Sequence, residues 1–337
     1  MTENPNPLKI NEYTFKAKKS TVTFDDLPDE MVAEVVSKLD LINRLKSRRV
    51  CSRMLHANPE MSPKIGRFGV TVGEGEIELE YDGESVKYKK NENGENTIRK
   101  RFHSAVPLSE DYMKTAIDDF GISLEIPKFR IKLFDITIGN YNGSNEVFQL
   151  LKKNFSNRVI HVEETFLRAE SYEMAVQILA MFKPRILKEA YVSRDDGHAK
   201  PGDISELVAM EQFKLAKTMH IILLIKFDAS LIFENFRHFR DFRIRVHSMS
   251  VDQIVRLREM IISEFDSTHF KECLIHIDKD LTIADFESIR GALGIAEDAK
   301  HEIVHRYGFP NCNGAYLEFE IAPNMIHAER KSGEKVN

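Results

Sequence analysis

The residues with the clearest chemical potential form the string HEIVH at positions 301–305, which has the H-E-x-x-H pattern of zinc hydrolases. On a helix, this spacing places two imidazoles one turn apart, where both can bind zinc while the glutamate acts as a general base. However, Gly308 and Pro310 would end such a helix within a turn, and no downstream residue stands out as a third ligand. We therefore expect the string to be structural. The alternative hypothesis is a zinc-dependent hydrolase centred on His301, Glu302 and His305.

The other reactive side chains do not form a catalytic set. Asp195, Asp196 and His198 share a short polar segment with glycine and proline, which is typical of a surface turn. The sequence contains no P-loop, nucleophile elbow or dinucleotide-binding glycine motif. We expect a protein that is not an enzyme, binds no cofactor and has no catalytic or metal-binding residue. The cysteines are far apart, without metal-type or disulfide-framework spacing: Cys51, Cys273 and Cys312.

Composition and charge narrow the class of protein. The 337 residues are 42% hydrophobic and 30% charged, as in an ordinary folded chain. With 48 basic and 53 acidic residues the net charge is −5, so the chain lacks the broad basic field of most nucleic-acid-binding proteins. An RNA-associated regulatory protein is nevertheless a further alternative, because basic residues gather at Arg44, Lys46, Arg48, Arg49 and Arg53.

Targeting signals are not apparent in the sequence. Residues 1–20 contain no apolar stretch of the signal-peptide kind, and the strongest apolar run, residues 221–225, is too short to span a membrane. The three scattered cysteines favour a reducing compartment. We expect a cytoplasmic protein without a membrane partner, with the nucleus as an open alternative.

Periodicity divides the chain into five segments. Residues 1–22 have no helical or strand period and predict a disordered arm, and residues 332–337 form a tail. Residues 23–60 predict two or three short helices, with apolar residues at helical spacing between Leu27 and Leu39. This segment is too small to build a core of its own, so we expect one apolar face to bind another chain. Residues 61–110 alternate in a strand period and predict a β-rich connecting meander.

Residues 111–331 repeat a unit of one strand followed by one helix. Candidate strands open near Ile131, Val159, Leu187, Thr218, Phe242 and Cys273, with a last strand from Tyr316. We therefore predict an α/β protein in which a small all-α module and a short β meander precede a strand-helix repeat domain resembling a leucine-rich-repeat horseshoe. An open doubly wound sheet is the competing architecture. Helical and strand spacing also predicts that the phenylalanines belong to the core: Phe213, Phe233, Phe236, Phe239 and Phe242.

Two stretches of the chain resemble known domains. LPDEMVAEVVSKLDLINRLKSRRVCSRML resembles an F-box, with Leu27, Pro28, Glu30, Val36, Leu39, Val50 and Cys51 on the positions of its pattern. Arg44 and Ser47 depart from that pattern, at places where many F-boxes carry apolar residues. The later part resembles the FTH domain that accompanies F-boxes in a large nematode family. Its most specific match is MEQFKLAKTMHI, through Gln212, Lys214, Ala216 and Lys217.

The resemblance implies a role in protein degradation. Such proteins are substrate-recognition subunits of Skp-cullin-F-box ubiquitin ligases, in which the F-box binds a Skp-type adaptor and the C-terminal domain holds the target protein. It implies no chemistry on the receptor itself and does not identify the target. The adaptor-binding residues that it implies are Leu27, Pro28, Glu30, Val36, Leu39 and Val50.

Strand alternation predicts where the target binds. In the segment from Phe242 to Val246, alternate apolar side chains should point toward the helices, which leaves Arg243 and Arg245 on the opposite face of the sheet. A wall of Arg, His and Tyr would suit an acidic or phosphorylated partner. The same logic gives the full set of expected target-binding residues: His161, Tyr191, His220, Arg243, Arg245 and His276.

Overall fold

The computed structural model describes residues 26–39, 43, 64–90, 93–100, 104–124, 129–139, 141, 143–155, 159–194, 204–225, 229–265, 270–295, 302–308 and 314–332. The chain divides into two compact units, Met1–Met61 and Ser62–Asn337. No helix within these ranges is long and apolar enough to cross a membrane.

The described part of the first unit contains one helix, α1 (Asp29–Ser37). Pro28 precedes it with an extended ψ of 149°, and its carbonyl accepts hydrogen bonds from the next turn. Asp29 and Glu30 occupy the first turn, where negative charge is stabilised by the helix dipole. Asn43 is also helical, whereas the rest of the second predicted helix, with Arg44, Ser47 and Val50, lies outside the described residues.

The described strands of the second unit form one 14-stranded sheet in the order β12-β13-β14-β11-β10-β9-β8-β7-β6-β1-β2-β3-β4-β5. Strands β6 to β11 are parallel neighbours in chain order, whereas both ends of the sheet are built from antiparallel strands. The strands are β1 (Lys64–Gly73), β2 (Glu76–Tyr81), β3 (Glu84–Lys90), β4 (Asn96–Lys100), β5 (Val106–Pro107), β6 (Arg130–Ile138), β7 (Val162–Ala169), β8 (Glu189–Arg194), β9 (Thr218–Ile225), β10 (Asp241–Val246), β11 (Glu272–Ile277), β12 (Ile303–Gly308), β13 (Tyr316–Ala322) and β14 (Met325–Lys331).

Helices connect the successive parallel strands β6 to β11, and one further helix lies before β6 and another after β11. They are α2 (Tyr112–Leu124), α3 (Ser144–Phe155), α4 (Tyr172–Leu179), α5 (Ser205–Ala209), α6 (Glu211–Leu215), α7 (Ser230–Asn235), α8 (Val251–Phe265) and α9 (Ile283–Leu293). Their ends follow local chemistry: Thr282 and Asp285 form a capping box at the start of α9, and Gly294 ends that helix at a φ of 67°. The hydroxyl of Ser171 likewise accepts from Met174 N at the start of α4.

One face of the sheet is buried and the other is partly exposed. Along β10, Phe242, Ile244 and Val246 are buried, while the alternating Arg243 is half-buried and Arg245 is exposed. The buried set packs against the helical layer; for example, Phe236, directly after α7, lies 5.3 Å from Phe242 between ring centroids. The predicted core role of the phenylalanine series is confirmed, because all five rings are at most 6% exposed: Phe213, Phe233, Phe236, Phe239 and Phe242.

The mixed α/β class predicted from the sequence is confirmed. The parallel strands follow one another in chain order without the reversal that defines a doubly wound sheet, so that competing architecture is not observed among them. The resemblance to a leucine-rich-repeat horseshoe stays a prediction. Strand β1 pairs in parallel with β6, so the meander predicted at residues 61–110 continues the same sheet. The predicted division between this segment and residues 111–331 also stays a prediction.

The helix assumed for the zinc hypothesis is wrong. Residues 303–308 form strand β12, which pairs antiparallel with β13 through Ile303 opposite Ile321 and His305 opposite Phe319. Two adjacent β-branched residues, Ile303 and Val304, suit the pleated strand better than a helix. In an extended strand, positions four apart are separated by about 13 Å. His301 lies outside the described residues.

Candidate functional site

The sheet face opposite the helices presents its side chains in rows that cross the strands, and we call it the open face. Its middle row follows the strand register from Phe166 to Tyr191, His220, Arg243 and Leu274. The row before it contains Glu164, Glu189, Thr218, Asp241 and Glu272. Three predicted target-binding residues, Tyr191, His220 and Arg243, are therefore lateral neighbours, and Arg245 and His276 pair with each other two residues further along their strands.

An aromatic cluster occupies the start of the middle row. The rings of Phe166 and Tyr191 stack with centroids 4.3 Å apart and an interplanar angle of 12°. On the other side of Tyr191, the ring of His220 stands edge-on at the same separation and an angle of 82°. Phe166 is 42% exposed, and Ile222, which follows His220 by two residues on β9, is 48% exposed. Apolar rings exposed on a sheet face are candidates for contact with a partner.

His220 and Asp241 form a buried polar pair next to this cluster. His220 Nε2 lies 2.9 Å from Asp241 Oδ1, and the two residues are 6% and 7% exposed. Burial by itself would raise the pKa of Asp241, but the hydrogen bond and charge of His220 and the charges of Lys271 and Arg243 bring that pKa below its usual value. The Lys271 ammonium approaches the other carboxylate oxygen at 3.5 Å. The pair fixes the His220 ring against Tyr191.

The arginines of the open face are paired with carboxylates. Arg243 donates to Glu272 Oε1 at 3.0 Å, and Arg245 donates from Nε to Asp278 Oδ1 at 2.6 Å. These pairs cancel much of the positive charge that the two arginines bring to this face. The role of the predicted residues in target binding stays a prediction.

The remaining predicted histidines lie toward the margins. His161 precedes β7, and burial together with the charges of Lys183 and Arg130 lowers its pKa. The structure does not bring His161 into the middle row. His276 is exposed on β11; partial burial and the charges of Arg245 and Arg243 lower its pKa.

Sequence reasoning missed the exposed aromatic residue and the carboxylates beside it. Alternation around the buried Leu167 would have placed Phe166 on the open face, as it did Tyr191. The same alternation would have placed Glu164 and Glu189 beside them, since each lies two residues before one of the rings. What the sequence did not provide is the register that sets Phe166 opposite Tyr191.

The helix of the first unit offers a second surface. Val32 and Val36 form a buried cluster, against which Leu27 and Leu39 pack. Pro28 and Glu30 are exposed, and so are the apolar residues Met31 and Val35, at 53% and 38%. Of the predicted adaptor-binding residues that the structure describes, Leu27, Pro28, Glu30 and Leu39 are thus at least partly accessible, and Val36 is buried.

No group of three or more potential metal ligands occurs within the part of the chain that the structure describes. His305, the second histidine of the HEIVH string, instead packs its ring 4.2 Å from the ring of Tyr307 on the same strand.

Two family models match the chain at the places where these surfaces lie. The F-box domain model matches residues 24–57, which include α1, and the FTH domain model matches residues 145–289. The chain is an F-box protein with a C-terminal FTH domain. No curated protein matches it.

The FTH match locates the open-face cluster within this F-box protein. It begins in α3 and ends in α9, so it includes strands β7 to β11 and the whole row from Phe166 to Leu274. Strands β1 to β6 and β12 to β14 lie outside the match. The HEIVH string is therefore outside both matched domains, whereas the aromatic cluster is inside one of them.

Proposed function

We propose that this F-box protein is a substrate-recognition subunit of a Skp-cullin-F-box ubiquitin ligase. Its F-box binds the Skp-type adaptor, and the open face of the sheet binds the target protein. The observation that carries the proposal is the exposed Phe166–Tyr191 stack within the FTH match, in a chain that also contains an F-box. The receptor needs no chemistry of its own, because the ligase supplies the catalytic steps.

The F-box helix supports the adaptor half of the proposal. Met31 and Val35 lie four residues apart on α1, so they share one side of the helix, and both are exposed. Exposed apolar residues on a helix gain stability when a partner covers them, at about 1.5–3 kcal/mol for each side chain that becomes fully buried. Leu27 and Pro28 set the position at which this helix begins.

The open face supports the target half. Aromatic residues contribute strongly to protein interfaces because they bury a large area at a low cost in side-chain entropy. The buried His220–Asp241 pair and the core behind the sheet hold Tyr191 in a fixed position, so a partner would meet a preformed surface.

Two variants, each designed to remove only one of the two binding activities, test the proposal. The full-length protein with Leu27→Ala and Pro28→Ala should lose co-purification of the adaptor and cullin while target capture is retained. The full-length protein with Phe166→Ser and Tyr191→Ser should retain the adaptor and lose its target proteins, as quantified by mass spectrometry. If the first variant keeps the adaptor or the second keeps an unchanged set of partners, the corresponding half of the proposal is refuted.

A further inference from the structure

Two glutamates face each other across the strands beside the aromatic cluster. Glu164 on β7 is the register partner of Glu189 on β8, and both are half-buried. Like charges directly opposite each other on neighbouring strands destabilise a sheet. Within the described residues neither carboxylate forms an ion pair, because the nearby Lys188 ammonium binds Glu163 at 2.7 Å instead. The fold therefore keeps two carboxylates opposite each other on its open face, and their charges reach Lys188, whose pKa they help to raise, without an ion pair.

The same two strands place the aromatic stack immediately beyond this pair. Phe166 and Tyr191 follow Glu164 and Glu189 by two residues each, so all four side chains lie on one face. The carboxylates are also close enough to act on the ring electrostatically: burial raises the pKa of Tyr191, and the charges of Glu189, Asp241 and Glu164 raise it further, against the opposing charge of Arg243. Stacked rings and carboxylates thus form one continuous surface.

We infer that this surface binds a basic segment of the target protein, in which an arginine or lysine stands beside an apolar residue. The inference rests on the proposed function and gives the target a chemical class. The aliphatic stem of the basic side chain packs on the rings of Phe166 and Tyr191, and its cationic end binds Glu164 and Glu189. The neighbouring apolar residue covers Ile222, which is 48% exposed.

Charge complementarity favours this occupant over an acidic or phosphorylated one. Arg243 and Arg245 are already bound to Glu272 and Asp278, so an anion would have to displace these carboxylates. A cation meets two carboxylates that face each other, which relieves their repulsion on binding. A guanidinium can also donate to two carboxylates while it lies over an aromatic ring, a combination that suits arginine better than lysine.

Two matched peptides test the inference on the full-length protein bound to its adaptor. The probes are the fluorescein-labelled heptapeptide Gly-Ser-Leu-Arg-Leu-Ser-Gly and its counterpart with glutamate in place of arginine. Fluorescence anisotropy should show binding of the arginine peptide and an affinity at least about tenfold weaker for the glutamate peptide. Glu164→Gln with Glu189→Gln should weaken the arginine peptide about tenfold. Glu234→Gln with Glu287→Gln, the same charge change on exposed positions of α7 and α9, should leave it unchanged.

The outcomes separate this inference from the proposed function. Absent binding of the arginine peptide, equal affinity for both peptides, or insensitivity to the Glu164 and Glu189 changes overturns the basic-partner inference. If the glutamate peptide binds and Phe166→Ser abolishes that binding, the open face is still the target surface and only its chemical preference was misjudged. If Phe166→Ser leaves all peptide binding intact, the open face fails as the target surface as well. Urea unfolding of each variant verifies that it is folded.

Discussion

His220 and Asp241 face each other across β9 and β10 with 2.9 Å between Nε2 and Oδ1, on a sheet face where most neighbouring side chains are only half-buried. A buried hydrogen-bonded pair is costly to break, because the partner that remains keeps its desolvation cost without its hydrogen bond. The pair therefore anchors the edge-on packing of His220 on Tyr191, a ring contact that joins the aromatic cluster to β9.

Asp241→Asn should reduce stability in a manner that depends on pH. Because the folded pKa of Asp241 lies below its unfolded value of about 3.9, the ionised carboxylate contributes stability above that pH. This contribution is lost as pH falls through the folded pKa. Urea unfolding should show the variant less stable by about 1–3 kcal/mol at pH 7, with the difference shrinking below about pH 4. Asp280→Asn, at an exposed loop position, is the control, and a pH-independent difference for Asp241→Asn would contradict the explanation.

Glu164→Gln with Glu189→Gln should stabilise the folded protein. The change removes two like charges that face each other across β7 and β8, and we expect an increase of about 0.2–1 kcal/mol in the free energy of unfolding. Because salt screens partly exposed charges, the gain should diminish as the salt concentration rises. Urea unfolding at low and high salt measures both effects, and a loss of stability would show that the carboxylates make stabilising contacts. A gain in stability together with weaker binding of the arginine peptide would show that the two glutamates lower the stability of the fold and serve binding.

Truncating one phenylalanine in the core and one on the open face should cost different amounts of stability. Phe236 is fully buried and contacts the rings of Phe213, Phe239 and Phe242, so Phe236→Ala should cost about 3–5 kcal/mol. Phe166→Ala removes a ring that is 42% exposed and should cost about 1 kcal/mol, chiefly through its stack on Tyr191. Chemical unfolding of both variants checks the contrast. Similar losses would mean that Phe166 belongs to the core and is a poor candidate for binding.

The HEIVH string should not bind zinc. Glu302 immediately precedes strand β12 and His305 lies within it, so the helical spacing that makes this motif a metal site is not formed. The purified protein should contain far less than one zinc per chain by atomic absorption, and its thermal melting point should be unchanged in chelator. Zinc near one per chain that is lost in His301→Ala would restore the hydrolase hypothesis.

The local chemistry of the sequence was sufficient to predict several features of this protein. The strand-helix period predicted the parallel strands, and the alternation in Phe242, Ile244 and Val246 predicted which side chains are buried, because each depends only on neighbours in the chain. The F-box and FTH matches fall where the quoted motifs lie. The helix on which the alternative zinc hypothesis depends is replaced by a strand over Ile303–Gly308, because a short apolar pair between charged residues fits either period until a partner strand is known.

Relations between distant segments were decided only by the tertiary structure. Phe166 and Tyr191 are 4.3 Å apart between ring centroids, and Arg243 is neutralised by Glu272, because the registers of β7 with β8 and of β10 with β11 align them. Such registers arise from packing many side chains against the helical layer at once, and no local spacing encodes them. The sequence therefore determined which residues reach the open face, and the folded sheet determined its charge and which of its side chains meet.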